Sequence, residues 1–424
     1  MAARLANRVW RLSMNCRFIL FWVVLFGLVI AGRGLVAEPA PDPRFGTWKT
    51  LFDGRPNLQN GWFVSRPENE RVAWNWKVEE DGSMTNVADP EGRKHNIATK
   101  RKFRNFELDL EFKISKGGNS GIYLRGRCEV QIKDSHGQEQ QSVTDMGALY
   151  NVTPPLKDAT VPAGQWNHIY IRLIGNHITV RLNSELIHDN ALATPTGQGA
   201  KRPGEFDAEH MLELQGDHDQ VWFRRIRIRS LFETPGWEEL FNRKDVSEWF
   251  SAREVGNERS GGEMKWVVEN GYLTNAPAFK VDGGEFKPVA DILSKKKYDD
   301  FLLHYEYTSH GNSGLFLRDL WEIQIHNTAG KPQTKGSDGA LYDFFPPITN
   351  MSKPAGEWNT VDVKLEGRKI TVFHNGVLVH QNRECSGRTY APADATNMDK
   401  LGHFRLQGDH GPVWFTNMWV LPLP

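Results

Sequence analysis

A chain of 424 residues is longer than one hydrophobic core usually organises, so two domains are expected. Lys and Arg total 52 and Asp and Glu total 52, a balance that leaves no net field to recruit nucleic acid or an anionic membrane. Aromatic residues make up 11% of the chain and Trp alone counts 15; most such rings pack in cores and edges, while a minority line grooves and stack on sugar faces.

At the N-terminus, Arg4, Arg8, Arg11 and Arg17 precede an apolar run over 18–31, and Gly-Leu-Val-Ala at 34–37 stands before Glu38 and Pro39. This pattern reads as a signal peptide over 1–37, because the apolar run is shorter than the roughly 20 residues a membrane span needs. The expectation is export to the periplasm or the extracellular space, with no membrane contact beyond the signal. An uncleaved anchor is the alternative, since Arg33 falls in the cleavage region. Removing the signal leaves Cys128 and Cys385 in non-equivalent places, so neither a disulfide scaffold nor a Cys-based zinc site is written here.

The mature chain reads as strands. Residues 106–112 (Phe-Glu-Leu-Asp-Leu-Glu-Phe) alternate apolar and charged with the period of two that a half-buried strand requires, as do 168–174 and 361–365. Residues 177–182 lead into Asn183-Ser184, and 369–373 lead towards Asn375-Gly376, which predicts a tight hairpin at both places. Residues 221–228 form a final strand of the first half, and Pro235-Gly236 marks the boundary. No amphipathic helix stands out. Short antiparallel strands with Gly, Pro and Asn turns predict an all-β chain of two sandwiches, over 45–232 and 233–424.

The halves repeat each other. Gly-Asn-Ser-Gly-Ile-Tyr-Leu-Arg at 118–125 returns as Gly-Asn-Ser-Gly-Leu-Phe-Leu-Arg at 311–318, and Glu-Val-Gln-Ile at 129–132 returns as Glu-Ile-Gln-Ile at 322–325. Gly-Ala-Leu-Tyr at 147–150 returns at 339–342, and Leu-Gln-Gly-Asp-His at 214–218 returns at 406–410. Alternation sends Ile122, Leu124, Val130 and Ile132 to one face. It leaves Tyr123, Arg125, Glu129 and Gln131 on the other, with Phe316, Arg318, Glu322 and Gln324 as their copies. The plain reading is an exposed Arg–Glu pair worth about 0.2–1 kcal/mol. The reading preferred here is a polar floor for a hydroxyl-rich ligand, because carboxylate, amide and guanidinium converge beside Asn-Ser-Gly loops twice. Asp217-His218 and Asp409-His410 are either acid/base dyads, parts of a metal site, or turns whose Asp caps the backbone. The histidines at 95, 136, 168, 177, 188, 304, 326 and 374 are set aside as unrepeated, as is His403, which aligns with Met211.

Ordinary glycosidases need two carboxylates, about 5–5.5 Å apart for retention and about 6.5–9.5 Å for inversion. Sandwich-fold glucanases carry them as Glu-x-Asp-x-Glu on one strand, whereas this chain has Glu-Val-Gln-Ile-Lys at 129–133 and Glu-Ile-Gln-Ile-His at 322–326. The second carboxylate is missing from both runs. Dinucleotide, P-loop, nucleophile-elbow and zincin signatures are also absent.

These motifs, together with Leu-Phe-Asp-Gly at 51–54, Gly61-Trp62 and Pro-Ala-Gly-Gln-Trp-Asn at 162–167, resemble the 3-keto-disaccharide hydrolase domain family, over nearly all of the mature chain and twice. The resemblance implies a concanavalin A-like lectin/glucanase sandwich and cleavage of glycosides carrying a ketone at C3. A C3 ketone acidifies the C2 hydrogen, so one base, an oxyanion stabiliser and a proton donor suffice. On this basis Glu129 and Glu322, or His218 and His410, are the acid/base candidates, and Arg125 and Arg318 the enolate stabilisers. Asn119, Gln131, Gln215, Tyr123, Asn312, Gln324, Gln407 and Phe316 are the substrate-binding candidates. A divalent metal is the alternative electrophile, although no motif demands one and no cofactor is required. The expected partner is carbohydrate alone, and a non-catalytic lectin is the alternative function. The halves depart from each other at Cys128 against Trp321, and at Glu107 and Asp109 against Leu302 and His304, which bears on whether both are equally active.

Overall fold

The computed structural model describes residues 44–424 except 66–72, 197–199, 201–207, 257–261, 280–288, 391–397 and 399–400. The signal expected at 1–37 lies outside the described residues. Each half is a pair of antiparallel sheets. In the first, the larger sheet runs Glu185–Leu192, His177–Leu182, Asn167–Ile174, Phe106–Ile114, Val221–Ser230, Met84–Asn86, Trp76–Val78, with Lys49–Phe52 also along Val221–Ser230. The smaller sheet runs Trp62–Val64, Ile97–Phe103, His210–Leu214, Asn119–Leu124, Cys128–Lys133. The second half repeats this order, from Val377–Glu384 to Val267–Glu269 in the larger sheet and from Trp249–Ser251 to Trp321–His326 in the smaller. Both expected hairpins form: Asn183, Ser184, Asn375 and Gly376 all have positive φ, between Leu182 paired with Glu185 and His374 paired with Val377.

The period-two pattern explains the layers. Phe106, Leu108, Leu110, Phe112 and Ile114 enter the first core, where they meet Ile122, Leu124, Val130 and Ile132 from the other sheet. Their charged alternates form a ladder across the outer face. Glu107, Asp109 and Glu111 accept from Arg229 (2.5 Å), Arg227 (3.0 Å) and Arg224 (2.6 Å), cross-strand pairs worth about 0.2–1 kcal/mol each.

The second half loses that ladder because its equivalent face is not in solvent. Leu302 and His304 replace Glu107 and Asp109, Glu306 keeps the acid of Glu111, and His304 and Glu306 are wholly buried against the first sandwich. There Glu306 pairs with His177 of the first half and accepts from Asn190 at 3.2 Å. His304 Nδ1 lies 2.7 Å from Asp362, whose other oxygen lies 2.7 Å from Arg44. Phe232 stacks on Trp419 with ring centroids 5.4 Å apart, joined by Ile174 and Leu231 in a separate small core. His177 and His304, set aside as unrepeated, thus hold the two sandwiches together. They are unrepeated because the interface uses non-equivalent strands of the two larger sheets, His177–Leu182 in the first half and Phe301–Ser309 in the second.

Candidate functional site

The site forms on the smaller sheet of each half, on the face turned away from the core. Register sets Tyr123 opposite Glu129, Gly121 opposite Gln131 and Glu213 opposite Tyr123; the second half sets Phe316 opposite Glu322, Gly314 opposite Gln324 and Arg405 opposite Phe316. Each glutamate lies across its glycine, and a Cβ on Gly121 or Gly314 would strike the Glu129 or Glu322 carboxyl group. The repeated Gly-Ala-Leu-Tyr loop closes the sheet edge that carries the glutamate. Gln131 N donates to Ala148 O (2.9 Å), Gly147 N to Gln131 O (2.8 Å) and Tyr150 N to Glu129 O (3.0 Å), and the same three bonds recur at Gln324, Gly339 and Tyr342 (3.0, 2.8 and 3.0 Å). Pairing the edge in this way both satisfies its backbone and fixes the strand. His188 Nε2 meets Gly147 O at 2.8 Å, and His380 Nε2 meets Gly339 O at 2.8 Å. His188 is therefore repeated, and its dismissal above is corrected: the pair props the loop that backs the site.

The other motifs converge on the same place. Ser120 Oγ donates to Gln215 O and Ser313 Oγ to Gln407 O, both at 2.8 Å, so the Asn-Ser-Gly motif clips the glutamine strand beside the glutamate. With its amide turned so that nitrogen faces acceptors, Gln131 donates to Glu129 Oε1 (3.3 Å) and Ser120 O (2.9 Å). His218 Nδ1 lies 2.7 Å from Asp217 Oδ1, and His410 Nδ1 is likewise paired with Asp409; both imidazoles are about half exposed. In the second half a cleft of about 240 Å³ is lined by Asn312, Gln324, Tyr342, Tyr390, Arg405, Gln407, Asp409 and His410, with Asp291. Glu322 Oε2, Gln407 Oε1 and Asn312 Oδ1 are buried there without a hydrogen-bond partner, as is Gln215 Oε1 in the first half. Unsatisfied buried polar atoms are rare and point to a ligand's place.

Electrostatics separate the groups. Burial pushes the Glu129 carboxyl up to about 7, against the Tyr123 hydroxyl and His218, which favour the ionised form. Burial likewise pushes Glu322 up to about 8, against Arg405, Tyr390 and His410. The Asp217 and Asp409 hydrogen bonds raise His218 and His410 above the usual imidazole value. Each half therefore pairs a glutamate titrating near neutrality with one imidazole biased towards its charged form, and in the second half burial also pushes Asp291 up to about 6. Among the described residues no group of three or more His, Cys, Asp or Glu side chains is arranged to hold a metal ion.

Two assignments need correction. Arg125 does not share the glutamate's face: it takes positive φ in the turn after Asn119–Leu124, and its wholly buried guanidinium is bonded to Gly175 O. Arg318 turns the same way, to Asp299 at 2.6 Å and to Gly367 O. The strands end at Leu124 and Leu317, and the positive φ of the next residue reverses the direction that alternation predicts for each arginine. The structure instead brings up side chains that a filter for identity between halves discards. Asn96 donates to Glu213 at 2.9 Å and accepts from Gly216 N at 2.8 Å; in the second half Asp291 accepts from Arg405 at 3.1 Å and from Gly408 N at 2.9 Å. The complementary exchange of Asn with Glu for Asp with Arg is a signal that pairwise comparison of the halves contains. Tyr390 has no such signal.

The 3-keto-alpha-glucoside-1,2-lyase-like domain family matches residues 47–229 and again 236–421. A 3-keto-disaccharide hydrolase of Bacteroides thetaiotaomicron is 26% identical, the match covering 43% of this chain and 78% of that protein. Two solved structures from Parabacteroides distasonis, each described as a candidate glycosyl hydrolase, are 28% and 30% identical. They cover 46% and 44% of this chain and 86% and 100% of their own, with TM-scores of 0.35 and 0.33. The chain belongs to the 3-keto-alpha-glucoside-1,2-lyase-like domain family, whose fold unit it carries twice.

Proposed function

We propose that this protein cleaves 3-keto-glycosides by elimination and rehydration. The observation that carries the reading is a glutamate titrating at about 7 in one half and about 8 in the other, beside an Asp–His pair and with no second carboxylate on its strand. A base is most effective when its pKa lies near the working pH. Glu129 or Glu322 takes the C2 hydrogen, and the electron pair forms the enolate with its charge on the C3 oxygen. That enolate then expels the C1 oxygen substituent, which takes a proton from His218 or His410. In the return step the imidazole accepts a proton from water as its oxygen bonds to C1, and the glutamic acid returns a proton to C2. Both groups are restored and the net change is addition of one water. The amides of Gln131 and Gln215, or of Gln324 and Gln407 with the Arg405 guanidinium, are the donors available to the enolate oxygen. The reading also takes 1–37 as an export signal, so the chain acts outside the cytoplasm.

The test compares release of the aglycone from a 3-keto-glucoside and from the unoxidised glucoside. Release from the keto substrate alone is expected. Comparable release from the plain glucoside would sink the elimination chemistry, and binding with release from neither would leave a sugar-binding protein.

A further inference from the structure

Both halves place a tyrosine hydroxyl beside the site glutamate, held by the site glutamine, yet from unrelated positions in the chain. In the first half it is Tyr123, on the strand Asn119–Leu124, directly across the sheet from Glu129 and receiving the Gln215 amide at 3.4 Å. The repeat position in the second half is Phe316, which has no hydroxyl. There Tyr390, beyond the strand Val377–Glu384, reaches in instead: it lines the cleft against Phe316, the cross-strand partner of Glu322, and receives the Gln407 amide at 3.2 Å. The same three groups, carboxyl, phenol and amide, are thus assembled twice by different backbones. Tyr390 does so from a positive φ of 67°, a conformation a bulky residue adopts only against strain. Its ring packs at 6.2 Å from Phe316 and 5.7 Å from Tyr342, so packing alone would be served by a phenylalanine.

We propose that a tyrosine hydroxyl bonded to the site glutamate is a required positioning group in each cleft, supplied by Tyr123 in the first and by Tyr390 in the second. The inference rests on the keto-glycoside reading for its substrate but not for its geometry. The phenol donates to the ionised carboxylate, holding one oxygen so that the other is presented to the cleft. The glutamine amide fixes the phenol in turn. A carboxylate carried on two or three rotatable bonds is a poor base until its orientation is set, and that is what the hydroxyl contributes. Tyr123 is almost wholly buried, whereas Tyr390 is 40% exposed, so the second cleft keeps its positioning group at the ligand's edge.

The experiment uses the full chain with the first cleft silenced by Glu129→Gln. Tyr390→Phe is expected to lower kcat by about 100-fold with KM changed less than about twofold, the pattern of lost positioning rather than lost binding. It also moves the acid limb of the kcat/KM profile to higher pH, because the lost bond favours the ionised form of Glu322. Adding Phe316→Tyr, which moves the hydroxyl to the place the first half uses, restores most of the activity. Unchanged kcat in Tyr390→Phe, absence of rescue by Phe316→Tyr in a folded protein, or loss of all turnover in Glu129→Gln alone would overturn the assignment for the second cleft. If the unmutated protein releases nothing from a 3-keto-glucoside, the functional reading fails, and the hydroxyl is judged by infrared titration of the Glu322 carboxyl. A midpoint raised by Tyr390→Phe supports the assignment, and an unmoved one overturns it.

Discussion

Replacing Gly121 and Gly314 together by alanine isolates the seat of the glutamate. Neither glycine has positive φ, so alanine adds no backbone strain there. The entire effect is steric: the new Cβ would come within 2.9 Å of the Glu129 Cγ and 2.8 Å of the Glu322 Cγ, and closer still to one carboxylate oxygen of each. Relief requires each carboxyl to move by about 1 Å or more, a displacement that costs on the order of 100-fold in rate when the group is the base. Overpacking costs about 1–3 kcal/mol per site, and Gly→Ala returns about 0.4–1 kcal/mol by restricting the unfolded chain. The net cost per half is therefore about 0–2.6 kcal/mol, which for a domain of this size lowers Tm by no more than roughly 10 °C. Calorimetry and kcat/KM on a 3-keto-glucoside read the two effects separately. Activity within threefold of the unmutated protein, in a double variant of unchanged Tm, would refute the view that the glutamate must lie across the glycine.

The pH profile of kcat/KM is expected to be a bell, its acid limb set by glutamates titrating at about 7 and 8 and its alkaline limb by imidazoles raised above 6.5; a profile flat from pH 5 to 9 contradicts both roles. The folded protein keeps a proton on Glu322 that the unfolded chain has released above about 4.5. Stability therefore declines as pH rises from there to about 8, and Glu322→Gln is expected to flatten that slope in calorimetric scans. Glu306→Gln removes the charge shared by His177, His304 and Asn190 between the sandwiches and is expected to cost about 3–5 kcal/mol, read as a large drop in Tm. Arg405→Glu alone is expected to cost a similar about 3–5 kcal/mol by leaving Asp291 beside a like charge, and adding Asp291→Asn, which rebuilds the first half's pair, is expected to recover at least half of the lost Tm.

Much of the site was legible because it repeats. Tyr123, Glu129 and Gln131 face one way for the reason alternation demands, and their copies agree except where phenylalanine replaces tyrosine. The Gly-Ala-Leu-Tyr motif was visible as a repeat but not as a brace, since its role depends on hydrogen bonds to a strand edge distant in sequence. Arg125 and Arg318 misled because a strand's end is set by the turn that follows it, and the turn reverses where the side chain points. Arg405 and Tyr390 were not legible, because they differ from their counterparts in the first half while serving the same surface. His177 and His304 have no like counterparts because Lys369 and Asp109, the equivalent positions, lie outside the interface.

What the amino-acid sequence by itself determined is local and periodic: the strands, the hairpins, the tandem sandwiches and the face on which the glutamates lie. These follow from steric preferences and hydrophobic alternation, which act between near neighbours. Only the tertiary structure decided which charges meet, because burial and contact across strands distant in sequence move the glutamate pKa values towards neutrality and bring Tyr390 to Glu322.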